Sequence, residues 1–578
     1  MKLLSTSAIV FILTSGASLA ATCTMPMPLA DGDTITCSAS TLTYFDRIDA
    51  GSFHDLDIIV TGSAVVGDDI SAPPSSGGTP VIGAGDRADI HVTEKAAVSS
   101  TGPNAPGIVA GQDVRFINNS GTITTVGANS GGIRVGVDAE VWNDRTGIIH
   151  ALGTGSVGIE AHDDSVVVNY GKIIAGGNGI NTGDSSYIAN ESSIEAAAVG
   201  VQTGNNSFVE TWAFVDAGSV GVVLGDYASV ANRGRISAIG DGVQAGYSSV
   251  VYTTAGIVAG ANGVVAGDMA VVRNLGGISA GMDGIKVGNG GGSAERLSYV
   301  YSDISIRAGK RGVTGGDNLV IENHGTIVAQ EDAVQVGENA SIYNGGTIEN
   351  DGPGGEDAQD AIDLKSGKIH NYRTIRSTVG AGIHFQQSTT DSSIYNDGTI
   401  SGTTGVLVEK DEAAGANTAA QVIDNSGLIE GTGGLALDLG AGNDSYTQNG
   451  YSRLIGGADF GAGEDAFIMH GNPFGILGGS QSALFDGGDG VDLFHFTVYS
   501  FSELTSLTYT SGIFSLTFTI GADELFLRIT SWENIFFSDR KFTAAQLAAE
   551  ATPAVPQPAG AVLMLGALGG LGLMRRKG

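Results

Sequence analysis

Apolar residues recur along the chain in short runs, separated by Gly, Asn, Asp and Ser, with a period of about 21 residues. The clearest repeated unit is Asn-x-Gly-x-Ile. It is complete at residues 119–123, 169–173, 232–236, 274–278, 323–327, 344–348, 396–400 and 425–429. Residues 190–194 and 371–375 keep the Asn and Ile, and weaker copies end at Ile149, Phe214, Ile257 and Ile306. A fixed period of this length is typical of a solenoid, in which each repeat is one coil.

Each repeat contains three short Ile- and Val-rich segments, which predict three strands per coil. Frequent Gly disfavours helix by about 1 kcal/mol per residue. We therefore predict an all-β chain that forms a right-handed parallel β-helix with three strands per coil, its repeated Ile facing inward. The repeated Asn is expected at a corner, bonded to its equivalent one coil away. An array of β-sandwiches is the alternative, and it would need longer strands and hairpins.

The interval between repeats lengthens at three places, where residues 288–297, 351–360 and 409–420 are added. The additional residues must leave the coil as loops. Loops of this kind often carry the binding surfaces of solenoids. Solvated insertions without a function are the other interpretation.

The changes in pattern divide the chain into six segments. They are a signal peptide (1–20), an N-terminal cap with the first coils and one disulfide (21–90), the β-helix repeats (91–436), Gly-Asp-rich coils (437–495), a β-rich C-terminal cap (496–550) and a C-terminal tail (551–578). Aromatic residues alternate in the fifth segment and predict antiparallel strands, which would cover the open edges of the last coil. A binding module is the alternative for that segment.

Composition narrows the class of partner. The chain has 28 basic and 61 acidic residues, a net charge of −33, and 91 of its 578 residues are Gly. Such a surface repels nucleic acid and anionic membranes and attracts cations. No nucleic-acid partner is therefore expected.

The N-terminus indicates export. Lys2 is followed by an apolar stretch and then by small residues up to Ala20, as in a secretory signal. The chain has two cysteines, Cys23 and Cys37, and two cysteines in an exported chain most simply form one disulfide.

Three Gly-Asp turns follow the repeats. They contain Gly440, Gly442 and Asp444; Gly461, Gly463 and Asp465; and Gly487, Gly488, Asp489, Gly490 and Asp492. These turns resemble the Gly-Gly-x-Gly-x-Asp-x-apolar repeats of the RTX family. The third copy is complete, and the first two lack the leading Gly. The resemblance implies that glycine carbonyls and Asp carboxylates bind Ca²⁺.

The spacing of these turns departs from the nine-residue RTX period. The separation of Asp444 from Asp465 equals one coil of the preceding repeats. We therefore expect stacked corners of further coils, with an ion between adjacent corners. A tight Gly-Asp turn without any metal is the alternative.

The tail has three parts in order: Val555, Pro556, Pro558 and Ala559; an apolar run over residues 560–574; and Arg575 with Arg576. It resembles the PEP-CTERM class of sorting signals, of the Val-Pro-Leu-Pro-Ala subtype, with Gln557 in place of Leu. That resemblance implies processing by an exosortase-type protease in a Gram-negative bacterium. The run is shorter than the roughly 20 residues of a comfortable membrane span, which favours a transient anchor. A permanent single span is the alternative.

Taken together, the repeats resemble autotransporter passenger domains and large adhesins. The resemblance implies a non-catalytic protein of the cell surface, outer membrane or extracellular matrix, acting in adhesion or biofilm structure. Its partners would be extracellular polysaccharide or a neighbouring cell surface. A secreted polysaccharide lyase on the same scaffold is the alternative function.

Overall fold

The structure is a computed structural model that describes residues 23–69, 78–291, 297–353, 359–410, 418–450, 452–470, 483–520 and 523–553. Strands account for 51% of the chain, which forms a parallel β-solenoid of about 18 turns. The chain divides into two compact units, Met1–Ile304 and Ser305–Gly578. Most strands pair in parallel with the strand three places later, so a typical coil contains three strands. The predicted fold class is confirmed, and the right hand of the coil stays a prediction.

Successive coils stack their strands in three rows, which we name after their recurrent residues. In the first unit, the Asn row comprises Asp89–Val92, Phe116–Asn119, Glu140–Asn143, Val166–Asn169, Tyr187–Asn190, Phe208–Thr211, Ser229–Asn232, Val250–Thr253, Val271–Asn274 and Ser298–Ser302. The Ile row comprises Ala97–Ser100, Thr122–Thr125, Ile148–Ala151, Lys172–Ala175, Ile194–Ala196, Val215–Ala217, Ile236–Ala238, Ile257–Ala259 and Ile278–Ala280.

The Gly row of the first unit follows a Gly in most coils. It comprises Ile48–Ala50, Ile82–Ala84, Ile108–Val109, Ile133–Arg134, Ile159–Glu160, Ile180–Asn181, Val201–Gln202, Val222–Val223, Val243–Ala245, Val264–Ala266 and Ile285–Val287. Two longer strands, Thr34–Phe45 and Asp57–Gly67, begin the unit and pair with each other in parallel. Cys23 and Cys37 are joined by a disulfide there.

The second unit continues the same three-row pattern. Its Asn row comprises Leu319–Asn323, Ala340–Asn344, Gly367–Asn371, Ser392–Asn396, Gln421–Asn425, Ser445–Gln448, Ala466–Met469, Leu493–Phe496 and Asn534–Phe536. Its Ile row comprises Ser305–Ala308, Thr326–Ala329, Thr347–Asn350 and Thr374–Ser377, and its Gly row Val313–Gly315, Val334–Val336, Ile362–Leu364, Ile383–Phe385 and Phe485–Asp486. Three long strands each contribute to the Ile row and to the Gly row: Thr399–Val408, Leu428–Asp438 and Arg453–Asp459.

The end of the second unit departs from the parallel pattern, as predicted. Leu504–Thr510, Ile513–Ile520 and Asp523–Thr530 pair antiparallel in sequence order. Lys541–Thr543 pairs antiparallel with Asn534–Phe536. The remaining elements are the 3-10 helix Phe501–Glu503, the α-helix Ala544–Glu550 and the short strands Ala462–Gly463, Asp489–Gly490 and Thr552–Pro553. No helix in the described part of the chain is long and apolar enough to cross a membrane.

The repeated Ile side chains form the core of both units. All those at the ends of the repeats are buried: Ile123, Ile149, Ile173, Ile194, Ile236, Ile257, Ile278, Ile306, Ile327, Ile348, Ile375, Ile400 and Ile429. Register partners are equivalent residues, as in Ile173↔Ile194 and Ile327↔Ile348. Identical side chains of successive coils therefore stack on one another, and their burial removes apolar surface from water along the whole row.

The sequence pattern assigned the weak repeat that ends at Phe214 one residue out of register. Phe214 is 60% exposed, whereas Val215 is buried and pairs with Ile194 and Ile236. Thr211 occupies the Asn position of this coil, paired with Asn190 and Asn232. Successive strand residues point to opposite faces, so the shift of one residue moves Phe214 from the core to solvent.

The predicted Asn ladder is confirmed. In the second unit, five buried Asn side chains form a continuous series, in which Nδ2 donates to Oδ1 of the next: Asn323 to Asn344 at 2.8 Å, Asn344 to Asn371 at 2.9 Å, Asn371 to Asn396 at 2.7 Å and Asn396 to Asn425 at 2.8 Å. An amide has both donor and acceptor, so a row of amides can satisfy itself. Thr replaces Asn in some coils of the first unit, where Asn232 Nδ2 donates to Thr253 Oγ1 at 2.9 Å.

This ladder predicts a graded response at Asn371. Asn371→Ala leaves buried amide groups of Asn344 and Asn396 without their partner, and should lower the free energy of unfolding by about 1–3 kcal/mol. Asn371→Thr retains a hydroxyl in the row and should lose less. Urea unfolding followed by circular dichroism measures both variants. Equal losses in the two would contradict the ladder as the source of stability.

Candidate metal centre

The residue four positions before the recurrent Asn position of the Asn row lies at a corner, and in several coils its N–H donates to the side chain of its equivalent in the next coil. In the first unit this residue is often Ser. Ser165 N–H donates to Ser186 Oγ at 3.3 Å, and Ser186 N–H donates to Ser207 Oγ at 3.0 Å. Each hydroxyl also has a hydrogen of its own, and Ser207 Oγ donates it to the Gly183 carbonyl at 3.3 Å. The serine corner is therefore neutral and self-satisfying.

Aspartate replaces serine at this corner in the last coils of the second unit. Gln421 N–H donates to Asp444 Oδ1 at 2.6 Å, Asp444 N–H to Asp465 Oδ1 at 2.7 Å, and Asp465 N–H to Asp492 Oδ1 at 2.8 Å. Glu533 continues the series, with Oε2 accepting Asp492 N–H at 2.9 Å. We call Asp444, Asp465 and Asp492 the carboxylate ladder.

The second oxygen of each ladder carboxylate has no hydrogen-bond donor. Asp444, Asp465 and Asp492 are 1%, 2% and 0% exposed, and Oδ2 of each accepts no hydrogen bond within the described part of the chain. A Ser hydroxyl can donate its own hydrogen to a neighbouring carbonyl, but an ionised carboxylate only accepts hydrogen bonds, so its second oxygen stays without a partner. A buried charge without a partner is costly, and the site requires either a proton or a cation.

The pKa values reflect the same imbalance. Burial raises the pKa of Asp444 to about 8, that of Asp465 to about 7 and that of Asp492 to about 6. The backbone donors lower these pKa values, while neighbouring acids, including the other ladder carboxylates and Glu533, raise them. At neutral pH and without a cation, the ladder therefore retains protons that ordinary carboxyl groups would have lost.

Two rows of glycine lie beside the ladder. They are Gly440, Gly461 and Gly488, and Gly442, Gly463 and Gly490. A Cβ on the second or third member of either row would collide with the carbonyl oxygen of the glycine one coil earlier. The first row also has positive φ values of +80°, +85° and +89°, which favour Gly. A Cβ on Gly463 would also lie 3.1 Å from Asp465 Oδ1, and one on Gly490 would lie 3.3 Å from Asp492 Oδ1, so the second row lies beside the carboxylates.

The sequence-predicted residues do not all belong to this arrangement. A Cβ on Gly487 would lie 3.1 Å from Asp492 Oδ2, so Gly487 leaves room beside the carboxylate. Asp489 is exposed, so it does not belong to the buried ladder. Its backbone N–H donates to the Gly461 carbonyl at 2.7 Å. Glu533 was missed because no Gly-rich turn precedes it; its position before the strand Asn534–Phe536 is the signal that identifies it.

The core beneath the ladder changes at the same coils. Tyr446, Phe467 and Phe494 are register partners in the Asn row and are fully buried. Their ring centroids are 4.9 Å and 4.6 Å apart in succession. Asn425 Nδ2 donates to the Tyr446 hydroxyl at 3.0 Å, so the Asn ladder ends where the carboxylate ladder begins.

The donor set suits a hard divalent cation. The oxygens without a hydrogen-bond donor are carboxylate oxygens, and the glycines of the adjacent rows have no side chains, so the ligand atoms they can offer are backbone carbonyl oxygens. Ca²⁺ prefers six to eight oxygen ligands of these two kinds. The residues therefore fit the ion that the Gly-Asp turns predict.

Several predicted features lie outside the described residues. These are the signal peptide over residues 1–20 and the sorting signal with Val555, Pro556, Pro558, Ala559, Arg575 and Arg576. The three insertions are described only in part. Strands on either side of them remain in register, as Val271↔Tyr299, Thr347↔Thr374 and Thr399↔Leu428.

Comparison of the chain with protein-family models, with curated proteins and with solved structures finds no match.

Proposed function

We propose that this chain is an exported, non-catalytic solenoid of a bacterial cell surface or extracellular matrix, in which Ca²⁺ completes the last coils. One observation carries the proposal. Three buried carboxylates stack at successive corners, and each retains an oxygen without a hydrogen-bond donor. A cation that bridges neighbouring corners would satisfy these oxygens and reduce the repulsion between like charges.

The residues that would hold Ca²⁺ are Asp444, Asp465 and Asp492, together with carbonyl oxygens of the adjacent glycine rows. The acidic surface supports a cation as the partner, since the chain carries a net charge of −33. Calcium sites of extracellular modules bind at about 10⁻⁴–10⁻³ M. A site of that affinity would fill after export and would order the C-terminal coils outside the cell.

The surface assignment is supported by the two termini and by the fold. Residues 1–20 have the pattern of a secretory signal, and residues 555–576 resemble a sorting signal read by an exosortase-type protease. A solenoid presents long rows of outward side chains, which suits contact with extended partners. We propose extracellular polysaccharide or a neighbouring cell surface as that partner, with adhesion or biofilm structure as the role.

Calcium should stabilise the last coils specifically. Trp532 is the probe, because it is buried against Phe460 and Phe494, and in a W142F/W212F background it is the remaining tryptophan. At pH 8 in EDTA, Trp532 fluorescence should report early unfolding. Ca²⁺ at about 100 times its dissociation constant should add about 2.7 kcal/mol of stability.

The sign of the pH effect follows from the raised pKa values. The folded ladder holds protons more tightly than the unfolded chain, so in EDTA its stability is full below about pH 4 and is lost as pH rises through about 6 to 8. The calcium effect should therefore be largest at the alkaline end of this range.

The variant D444N/D465N/D492N should lose both the calcium response and the pH dependence. The matched control is D163N/D184N/D226N, which changes three exposed corner aspartates of the first unit, whose Oδ1 atoms each accept one N–H from the next coil. The control should respond to Ca²⁺ as the wild type does. A Trp532 transition that Ca²⁺ leaves unmoved would refute calcium binding at the ladder.

The surface role has its own test. Deletion of the chain in its host should reduce attachment of cells to their matrix, and complementation with the wild type should restore it. The purified protein should release no unsaturated uronic acid from alginate or pectin. Release of such products would contradict a non-catalytic role and favour the polysaccharide lyase.

A further inference from the structure

Three side chains of the second unit converge where the Gly row passes from Ile362–Leu364 to Ile383–Phe385. His384 Nδ1 lies 3.0 Å from Asp360 Oδ2 and 3.3 Å from Asp363 Oδ1. Asp363 and His384 are register partners on neighbouring coils, and Asp360 precedes the first of the two strands by two residues. We call Asp360, Asp363 and His384 the Asp–His cluster.

The other carboxylate oxygens of this cluster are held by neutral donors. Asp360 Oδ1 accepts Ala381 N–H at 2.6 Å. Asp363 Oδ2 accepts Nε2 of Gln386 at 2.7 Å and Nε2 of Gln335 at 3.2 Å. These contacts fix both carboxylates with one oxygen directed at the imidazole, which is how outer hydrogen bonds orient the ligands of a metal.

One oxygen in the cluster has no donor. Asp363 is 6% exposed, and its Oδ1 accepts no hydrogen bond within the described residues although it faces His384. Nδ1 carries at most one hydrogen, so it cannot serve Asp360 and Asp363 together. This buried oxygen is therefore available as a ligand for a cation that also contacts the imidazole.

The spacing suits a small metal ion. With metal–ligand bonds of about 2.0–2.2 Å, neighbouring ligand atoms lie about 3.0 Å apart in an octahedral site and about 3.4 Å apart in a tetrahedral one. The separation of 3.0 Å matches the octahedral value, and that of 3.3 Å is close to the tetrahedral one. The three candidate ligand atoms all lie within 4.8 Å of one another.

We propose that Asp360 Oδ2, Asp363 Oδ1 and His384 Nδ1 bind a divalent transition-metal ion of the zinc class. An imidazole nitrogen with carboxylate oxygens suits Zn²⁺ and related ions, whereas Ca²⁺ takes oxygen ligands. Three protein ligands leave a further position for water or an external ligand, as in zinc sites that are open to chemistry. This site is independent of the calcium proposal.

A protonated His384 is the competing occupant. Burial acts to lower the pKa of His384, but its contacts with the carboxylates of Asp360 and Asp363 raise it to about 10. Without metal, the cluster is therefore an ion pair with two carboxylates around one imidazolium. A metal ion must displace that proton, and the experiment has to separate the two states.

Calorimetric titration of the full chain with Zn²⁺, in excess Ca²⁺, should give one tight site per chain. His384→Gln and Asp363→Asn should each weaken it by at least about tenfold. The matched control is His370→Gln, because His370 is an exposed histidine of the same unit beside Tyr395. Co²⁺ should give visible absorption bands that His384→Gln removes and His370→Gln retains.

The outcomes separate the proposals. Zn²⁺ binding that survives in both His384→Gln and Asp363→Asn, or no stoichiometric binding at all, would overturn the site and leave His384 as an ion pair. Should His384→Gln fail to fold by circular dichroism, Asp363→Asn decides, since it keeps the shape of the side chain. D444N/D465N/D492N should still bind Zn²⁺, so failure of the calcium proposal is distinguishable.

Discussion

Parallel pairing of each coil with the next, in register, is the constraint on which both units depend. It places equivalent residues on top of one another at the spacing of paired strands, about 4.8 Å. Ile173 therefore lies on Ile194, and Asn344 on Asn371. A single substitution is felt by the two coils that flank it, so the chemistry of the structure is organised by rows rather than by individual contacts.

A row of identical polar side chains is stable only if it can satisfy itself. Amides and hydroxyls meet this condition because each carries both a donor and an acceptor. Carboxylates do not, and a buried row of them needs protons or cations. Ser207 and Asp444 occupy equivalent corners, but the row that contains Asp444 must take protons or cations from solution, whereas the row that contains Ser207 need not. The aromatic side chains of Tyr446, Phe467 and Phe494 enter the core at these coils, which marks the same stretch as a distinct segment.

Much of this architecture was predictable, because a strict period fixes register as well as secondary structure. The repeated Ile, the Asn ladder and the antiparallel end follow from pattern alone. The repeat that ends at Phe214 was assigned one residue out of register because Thr211 occupies the Asn position in that coil. Phe214 was therefore predicted to face the core, where Val215 lies. The residues of the carboxylate ladder were recognised from their glycine turns, but the orphaned Oδ2 atoms required coordinates.

The Asp–His cluster illustrates what a periodic pattern cannot show. Asp363 and His384 are register partners, yet the neighbours of His384 in the row are Asp363 and Leu407, so no repeated histidine draws attention to the cluster. Asp360 joins them from a corner, in a different part of the coil. A side chain that differs from its neighbours in a row can form contacts that occur in one coil and not in the others. The repeat does not predict such contacts, and the pairing register shows which side chains are neighbours.

Cross-linking between neighbouring coils tests the register at the ladder most directly. Ser445 and Ala466 follow Asp444 and Asp465 and are register partners. Paired strands place their Cα atoms about 5 Å apart, within the range a disulfide spans. S445C/A466C should therefore form a disulfide on mild oxidation, detected by mass spectrometry of the digested protein. S445C/I468C, displaced by two residues to about 8 Å, should not. Preferential cross-linking of the displaced pair would contradict the stacked corners and the ladder built on them.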